Sequence, residues 1–462
     1  MNYKLPLVTV YITSYNYSKF IRKAIDSLLN QTFQNFECII IDDGSTDNSK
    51  EIIESYSLNE KIKIIFQKNK GLNITNNIAL RVARGDYIMR LDADDYLDSN
   101  ALLVMSNMLN NDDELGLVFP DYYLVDSEDN ITNVEKRHSF KKDVSLFDQP
   151  AHGACTMIRK KFLQALGGYD EQYRCQDGYE LWIKFTAKYK VNNISTPLFY
   201  YRQHNANLTS NEKKILDTRA KIKENFAKNK FNVRPKVLAV IPVRGSTYNS
   251  KYVAFLKIGD EFIIDIKINE TINSKKIDKI IVSSPDADIE KHIKENYKNN
   301  NKVIFHYRKE SLARLNIGLV STVDSILNDE NITNSNNFDN IMVLSIEYPF
   351  VNSKTLDDAI NTMQIFNTDS LISVREETNV FFQHDGGGMK PILNQEKFSK
   401  LERESLYRYT GGIIVTKISE FNKSKELISG KVGHIVIHQR SAHTIKTKLD
   451  IEIANFLYKK QI

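Results

Sequence analysis

The stretch ARGDYIMRLDADDYLD, residues 83–98, decides the fold. Gly85 and Asp86 make a turn, residues 87–91 read as an apolar strand, and Asp92, Asp94 and Asp95 follow within four residues. A merely hydrophilic loop is a poor fit directly after such a strand. Three crowded carboxylates repel one another unless a cation offsets their charge. Oxygen ligands of this kind suit Mg²⁺ or Mn²⁺, ions that in turn neutralise a diphosphate. The reading is an α/β sheet with an acidic site at a strand's carboxyl end, where ligands of open α/β sheets bind.

The flanking segments repeat the pattern. Residues 7–13 (LVTVYIT) form a β-branched strand that ends in the polar loop Ser14, Tyr15, Asn16, and Ile21, Ala24, Ile25, Leu28 and Leu29 then recur at helical spacing. IIIDDGSTDNSKEII (39–53) is a strand closed by Asp42 and Asp43, a Gly turn and a helix start that Ser45 or Asp47 can cap. The two aspartates suit turn and cap chemistry, or a carboxylate that accepts hydrogen bonds from a base or ribose. In LGGYDEQYRCQDGYELWIKFTAKY (166–189), Leu181, Trp182 and Phe185 mark a packed helix with Asp177 and Glu180 at its start. Either is a candidate general base, and either also suits a helix N-terminus, where acidic charge is favourable. His204 follows the aromatic strand of LFYYRQHNANLTS (198–210).

In order, SYN, DDGSxD, GDYxxxLDADD, GGYDE…DxxELW and YRxH resemble the family-2 glycosyltransferases of GT-A fold, over about residues 7–210. The resemblance implies transfer of a sugar, with inversion, from a nucleoside diphosphate, usually UDP, to an acceptor hydroxyl of a glycan or lipid-linked acceptor. By that resemblance Thr13, Tyr15, Asn16, Asp42, Asp43 and Asn77 belong to the donor site. Asp92 faces ribose and metal, Asp94 with Asp95 completes the Mn²⁺ or Mg²⁺ set, and His204 faces the diphosphate or metal. Asp177 is the base that deprotonates the acceptor, with Glu180 as runner-up. Three positions depart from the family. Thr13 stands where Pro is frequent, Asn76-Asn77 replaces an Arg-Asn pair, and DGYELW replaces EDxDLW. Strict register therefore puts Gly178 at the base, and a one-residue shift restores Asp177.

The strand–turn pattern restarts at residues 237–243 (VLAVIPV), so the chain reads as two Rossmann-like α/β domains in tandem: 1–210, a helical linker 211–235 with a charged helix over 215–227, and 236–462. VLAVIPVRG, FLKIGDEFIIDIKI, IDKIIVSS, YRYTGGIIVTK and KLDIEIANF resemble the acylneuraminate (CMP-sialic acid synthetase-like) cytidylyltransferases. The family's phosphate loop reads VRGSTYNSKYVA (243–254) here. Arg244 and Gly245 remain, Tyr248 and Val253 replace two lysines, and Lys251 is a substitute. Its metal string reads AHTIKTKLDI (442–451), in which Thr444 and Lys446 replace aspartates and Asp450 survives. A Lys replaces charge but not coordination geometry, so this domain reads as degenerate, a dimerisation or binding module. HDGGGMKP (384–391) reads as a surface loop.

Net charge is +5, with Lys and Arg scattered in short runs, which argues against nucleic-acid binding and leaves peripheral contact with an anionic membrane as an option. Three separated cysteines argue against disulfides and for a reducing cytoplasm. The N-terminus lacks a signal-peptide pattern, and no stretch approaches the ~18 apolar residues of a membrane span. Two rival readings stand beside the first: a bifunctional enzyme that also forms a CMP-activated acidic sugar from CTP, and a non-catalytic assembly protein.

Overall fold

The computed structural model describes residues 5–137, 144–146, 152–204, 212–244, 252–314, 317–333, 337–377, 381–384, 386, 388–391 and 406–460. The chain divides into two compact units, Met1–Arg219 with Phe382–Arg403, and Ala220–Phe381 with Glu404–Ile462.

The first unit runs β1 (Val8–Ser14), α1 (Ile21–Leu29), β2 (Phe36–Asp42), α2 (Ser49–Glu54), β3 (Ile62–Phe66), α3 (Leu72–Val82), β4 (Tyr87–Asp92), β5 (Tyr96–Leu97), α4 (Ala101–Asn110), β6 (Leu115–Val125), β7 (Ile131–Glu135), β8 (Met157–Arg159), α5 (Lys160–Ala165), α6 (Asp177–Thr186) and β9 (Lys190–Arg202), and ends within α7 (Glu212–Lys230). Its nine-stranded sheet has the order β3-β2-β1-β4-β8-β6-β9-β5, with β7 paired on β6. β3, β2, β1 and β4 are mutually parallel, and β8 is antiparallel to β4.

The first strands are apolar at nearly every position because the sheet is covered on both faces. Successive side chains point to opposite faces. Val8, Val10, Ile12, Cys38 and Ile40 therefore enter one core, while Tyr11, Ile39 and Ile41 enter the other. Helix α1 buries Ile21, Ala24, Ile25 and Leu28, the stripe expected from its sequence. The parallel register pairs Ser14 with Asp42 and Thr13 with Asp92, so the polar ends of three strands meet at one edge of the sheet.

The second unit carries a seven-stranded sheet on the same plan. Val237–Pro242 lies centrally, Lys279–Ser284 and Val303–Tyr307 extend it on one side, and Asn340–Leu344 is parallel to it on the other. Leu406–Lys417 then adds antiparallel, followed by Ser370–Glu377 and Val432–Val436. Here too the central strand alternates between two cores, Val237, Ala239 and Ile241 against Leu238 and Val240. Two expectations change. Helix α7 is longer than the predicted 215–227, with 19 residues, and the boundary between the units, after Arg219, falls inside it and within the expected helical linker 211–235. The Gly-rich stretch at 384–391 is not a plain loop, because Phe382–His384 pairs with Met389–Pro391 as a hairpin.

Candidate active site at the strand ends

After β1 the chain turns sharply at Asn16, which takes a left-handed φ of 61°. That turn is held by the Gly44–Ser49 region: the Asn16 amide donates to Ser45 Oγ (2.9 Å), Thr46 N donates to Asn16 Oδ1 (2.7 Å), and Tyr17 N donates to Ser49 Oγ (3.0 Å). Asp47 receives Ser49 N and Ser18 N at 3.0 Å each. Burial raises its pKa, but these hydrogen bonds outweigh that and bring it down to about 2. Tyr15 stays exposed beside them.

Asp42 is buried at the end of β2. Its Oδ1 receives Gly44 N (3.1 Å) and Ser45 N (2.9 Å), while its Oδ2 is buried with no hydrogen-bond partner among the described residues. Asp43 differs. Gln67 Nε2 (2.7 Å), Lys70 N (2.8 Å) and Gly71 N (2.9 Å) engage both its oxygens, so Asp43 organises the β3–α3 loop. Asn77 is likewise occupied, bonding the backbone of Tyr169 in both directions (2.8 and 3.0 Å) and the Glu171 carboxylate (2.9 Å).

The aspartates after β4 separate. Asp92, partly exposed, lies 2.8 Å from Arg90 Nε and 3.5 Å from the Thr13 hydroxyl. Asp94 Oδ2 lies 2.9 Å from His204 Nε2, and the His204 ring stacks on Phe20 at 5.5 Å. Asp95 points into the fold, where Arg202 N donates to its Oδ1 (2.9 Å). Arg202 also donates to Asp94 O (2.8 Å) and Asp126 O (2.9 Å) and pairs with Asp129 (2.5 Å), with its guanidinium 4.6 Å from the Phe20 ring centroid. Burial, then neighbouring carboxylates, raises the pKa of both Asp94 and Asp95. Burial, then Asp94 and Asp92, raises that of Tyr17. Among the described residues no three His, Cys, Asp or Glu side chains converge with metal-holding geometry. The three expected metal carboxylates thus face different partners: Asp94 faces His204, Asp92 faces Arg90, and Asp95 turns inward to the Arg202 amide.

Arg90, inside β4, was not anticipated as a site residue. Its side chain is 4% exposed and forms ion pairs with Asp92 and with Asp177. It thereby joins the carboxylate at the end of β4 to the first residue of α6. Gly153, in the loop before β8, fits against this pair so closely that a Cβ there would lie 2.5 Å from Arg90 Nη2 and 2.6 Å from Asp177 Oδ2. His152 is half-buried among Tyr122, Phe199 and Tyr201. The missed signal was the charge itself, since an Arg in an otherwise apolar buried strand needs partners. Glu180 is instead buried in an ion pair with Lys184 and accepts from Asp170 N (3.3 Å), so it braces its own helix and the turn before it.

In the second unit Arg244 lies beside Arg308. Arg308 is buried, donates to Val243 O (2.6 Å), and is pushed down to about 10 by burial and then by Arg244. Gly245 and Lys251 lie outside the described residues. Asp450, expected as a nucleotide ligand, caps a helix. Its Oδ2 accepts from Lys446 N (2.9 Å), Thr447 N (2.6 Å) and Thr447 Oγ1 (2.9 Å) in a capping box that opens the helix Lys448–Lys459.

A doubly covered, centrally parallel sheet that gathers carboxylates at its strand ends is the architecture of a ligand-binding α/β enzyme. The family model described as glycosyl transferase family 2 matches residues 9–167. An uncharacterized glycosyltransferase of Methanocaldococcus jannaschii is 32% identical over 244 residues, 49% of this chain and 83% of the relative. One from Rickettsia typhi is 29% identical over 282 residues, 59% of this chain and 86% of the relative. The chondroitin synthase of Escherichia coli is 40% identical over 129 residues, which is 28% of this chain and 19% of that protein. Residues 1–349 of S. aureus TarS, solved with UDP-GlcNAc, superpose with a TM-score of 0.43 at 20% identity, covering 49% of this chain and 67% of that one. The chain belongs to glycosyl transferase family 2. Among the described residues no helix is long and apolar enough to cross a membrane.

Proposed function

We propose that the first unit transfers a sugar, with inversion, from a nucleotide sugar of the UDP class to a hydroxyl of a glycan or lipid-linked acceptor in bacterial surface polysaccharide synthesis. The observation that carries this reading is the Arg90 bridge, which holds Asp177 and Asp92 to one guanidinium at the edge where three strands end. Family membership and the match to a chondroitin synthase support the polysaccharide setting.

Asp42, with Oδ2 buried and unpartnered among the described residues, is suited to accept a hydrogen bond from the base, and the Thr13–Asn16 turn follows the neighbouring strand end. Asp94 and His204, with Asp92, offer the oxygen and nitrogen donors that would hold Mn²⁺ or Mg²⁺. Two or three protein ligands suffice where substrate phosphates complete the coordination. Such an ion, when bound, neutralises charge on the departing nucleoside diphosphate. Asp177 receives the proton of the acceptor hydroxyl as its oxygen attacks the anomeric carbon. The bond from that carbon to the diphosphate oxygen breaks, and UDP leaves with the electron pair. Arg90 fixes the direction of the Asp177 carboxylate.

The second unit we read as a degenerate cytidylyltransferase-like module, because its surviving carboxylate, Asp450, is engaged in a helix cap. The test is nucleotide release from UDP-, GDP-, dTDP- and CMP-sugars with Mn²⁺ or with EDTA. Metal-dependent UDP release that D94A and D177N abolish is the expected result. Release from CMP-sugars alone would overturn the donor assignment.

A further inference from the structure

The segment that presents Asp177 is anchored by residues well beyond the family-matched region. Gln176, immediately before Asp177, adopts a left-handed backbone conformation (φ 64°, ψ 30°) that a Gln seldom takes. Its carbonyl accepts the Glu180 amide (3.1 Å) and so opens α6, while its side-chain Oε1 accepts from Arg219 Nε at 2.7 Å. The same Arg219 guanidinium lies 4.9 Å from the centroid of the Tyr179 ring. On the other side, Cys175 Sγ lies 3.4 Å from Thr218 Oγ1. Residues on both sides of Asp177 are thus gripped by two consecutive residues of α7. Arg90 meets the Asp177 carboxylate itself.

We propose that Arg219 is a positioning residue for Asp177, acting through Gln176, so that the catalytic unit includes the first half of α7. The proposal rests on the assignment of Asp177 as the base. Arg219 acts on the residues that flank Asp177, Gln176 and Tyr179. It selects the one backbone geometry at Gln176 that aims the next residue at Arg90, and small misplacements of a reacting group are costly.

The test uses the full chain with Mn²⁺ and the UDP-sugar that it turns over, and measures kcat and KM for R219Q, R219K, D177N and the double variant D177N/R219Q. R219Q should lose about 10- to 100-fold in kcat, with KM for the donor nearly unchanged because Asp42, Asp92 and Asp94 are untouched. R219K should recover part of the loss, since an ammonium can still reach Gln176 Oε1. D177N/R219Q should be no slower than D177N, as expected of residues that act as a unit. Gln176→Gly keeps the left-handed turn accessible while deleting the acceptor, and should also lower kcat. It reports on the same link should R219Q fail to fold. Wild-type kcat in R219Q, or a loss that multiplies with that of D177N, would overturn the role of Arg219 alone. Wild-type turnover by D177N would overturn the base assignment, and this proposal with it.

Discussion

Replacing Arg90 by Met tests the centre of the site. The side chains of Arg90 and Asp177 are 4% and 9% exposed and that of Asp92 is 24% exposed, so the change leaves one nearly buried carboxylate without its counter-charge and a second weakly screened. Breaking a buried pair by removing one partner costs about 3–5 kcal/mol. In a unit of this size each kcal/mol moves Tm by roughly 2–4 °C, so the first unit should melt about 6–20 °C lower. R90K keeps the charge but not the planar fork that meets two carboxylates at once, and should fall between. Thermal unfolding followed by calorimetry reads the shift, and nucleotide release reads function, where about a 100-fold loss is expected even in R90K. The double variant R90M/D177N should recover part of the lost stability, because it removes the stranded charge as well. R90M that melts with the wild type and keeps its turnover would refute the bridge, and so would a double variant whose losses simply add.

Three further outcomes follow from the same geometry. Gly153→Ala forces a methyl against the pinned ends of Arg90 and Asp177, so turnover should fall at least about tenfold; kinetics equal to wild type would show that the loop yields freely. Burial, then Arg137 and Arg90, pushes the His152 pKa from 6.5 to about 3. Between those values the unfolded chain binds a proton that the folded chain does not, so stability should fall as pH drops below about 6.5, by up to about 1.4 kcal/mol per pH unit. His152→Gln should flatten that slope in urea titrations at pH 7 and pH 5, and an unchanged slope would exclude His152 as its source. Asp450→Ala should destabilise the second unit by about 1 kcal/mol through loss of the capping box, and the wild-type protein should release no pyrophosphate from CTP and an acidic sugar with Mg²⁺; measurable release would restore the bifunctional reading.

What was legible in the sequence and what was not divide along a physical line. The strand within residues 83–98, the stripe of α1 and the restart near residue 237 are local patterns, and local patterns are what hydrophobic periodicity reports. The split among neighbouring acids was not legible. Asp42 and Asp43 are adjacent, yet one keeps a free buried oxygen while the other ties down the β3–α3 loop through Gln67, Lys70 and Gly71. Asp94 and Asp95 are adjacent too, and Arg202, more than a hundred residues away in the chain, draws Asp95 inward. Each outcome depends on a partner that no window of sequence contains. The register of the base was open for the same reason. The left-handed Gln176 makes Asp177 the first residue of α6, and Lys184 engages Glu180, and neither shows as a spacing of residue types.

The two units end the same run of parallel strands in different side chains. In the first, the ends of β1, β2 and β4 carry Ser14, Asp42 and Asp92, with Asp94 just beyond. In the second, Arg244 follows the central strand and Arg308 follows Val303–Tyr307, and Arg308 is buried beside Arg244. A carboxylate edge attracts a divalent cation and, through it, a diphosphate; an arginine edge repels the cation and attracts an anion directly. A shared topology therefore does not imply a shared reaction, and the chemistry has to be argued from each edge separately. The metal-assisted departure of a nucleoside diphosphate that we propose suits the acidic edge, and this supports placing the proposed sugar transfer in the first unit. In the second unit Asp450 spends one carboxylate oxygen on the cap of Lys448–Lys459, in keeping with the proposed degenerate reading.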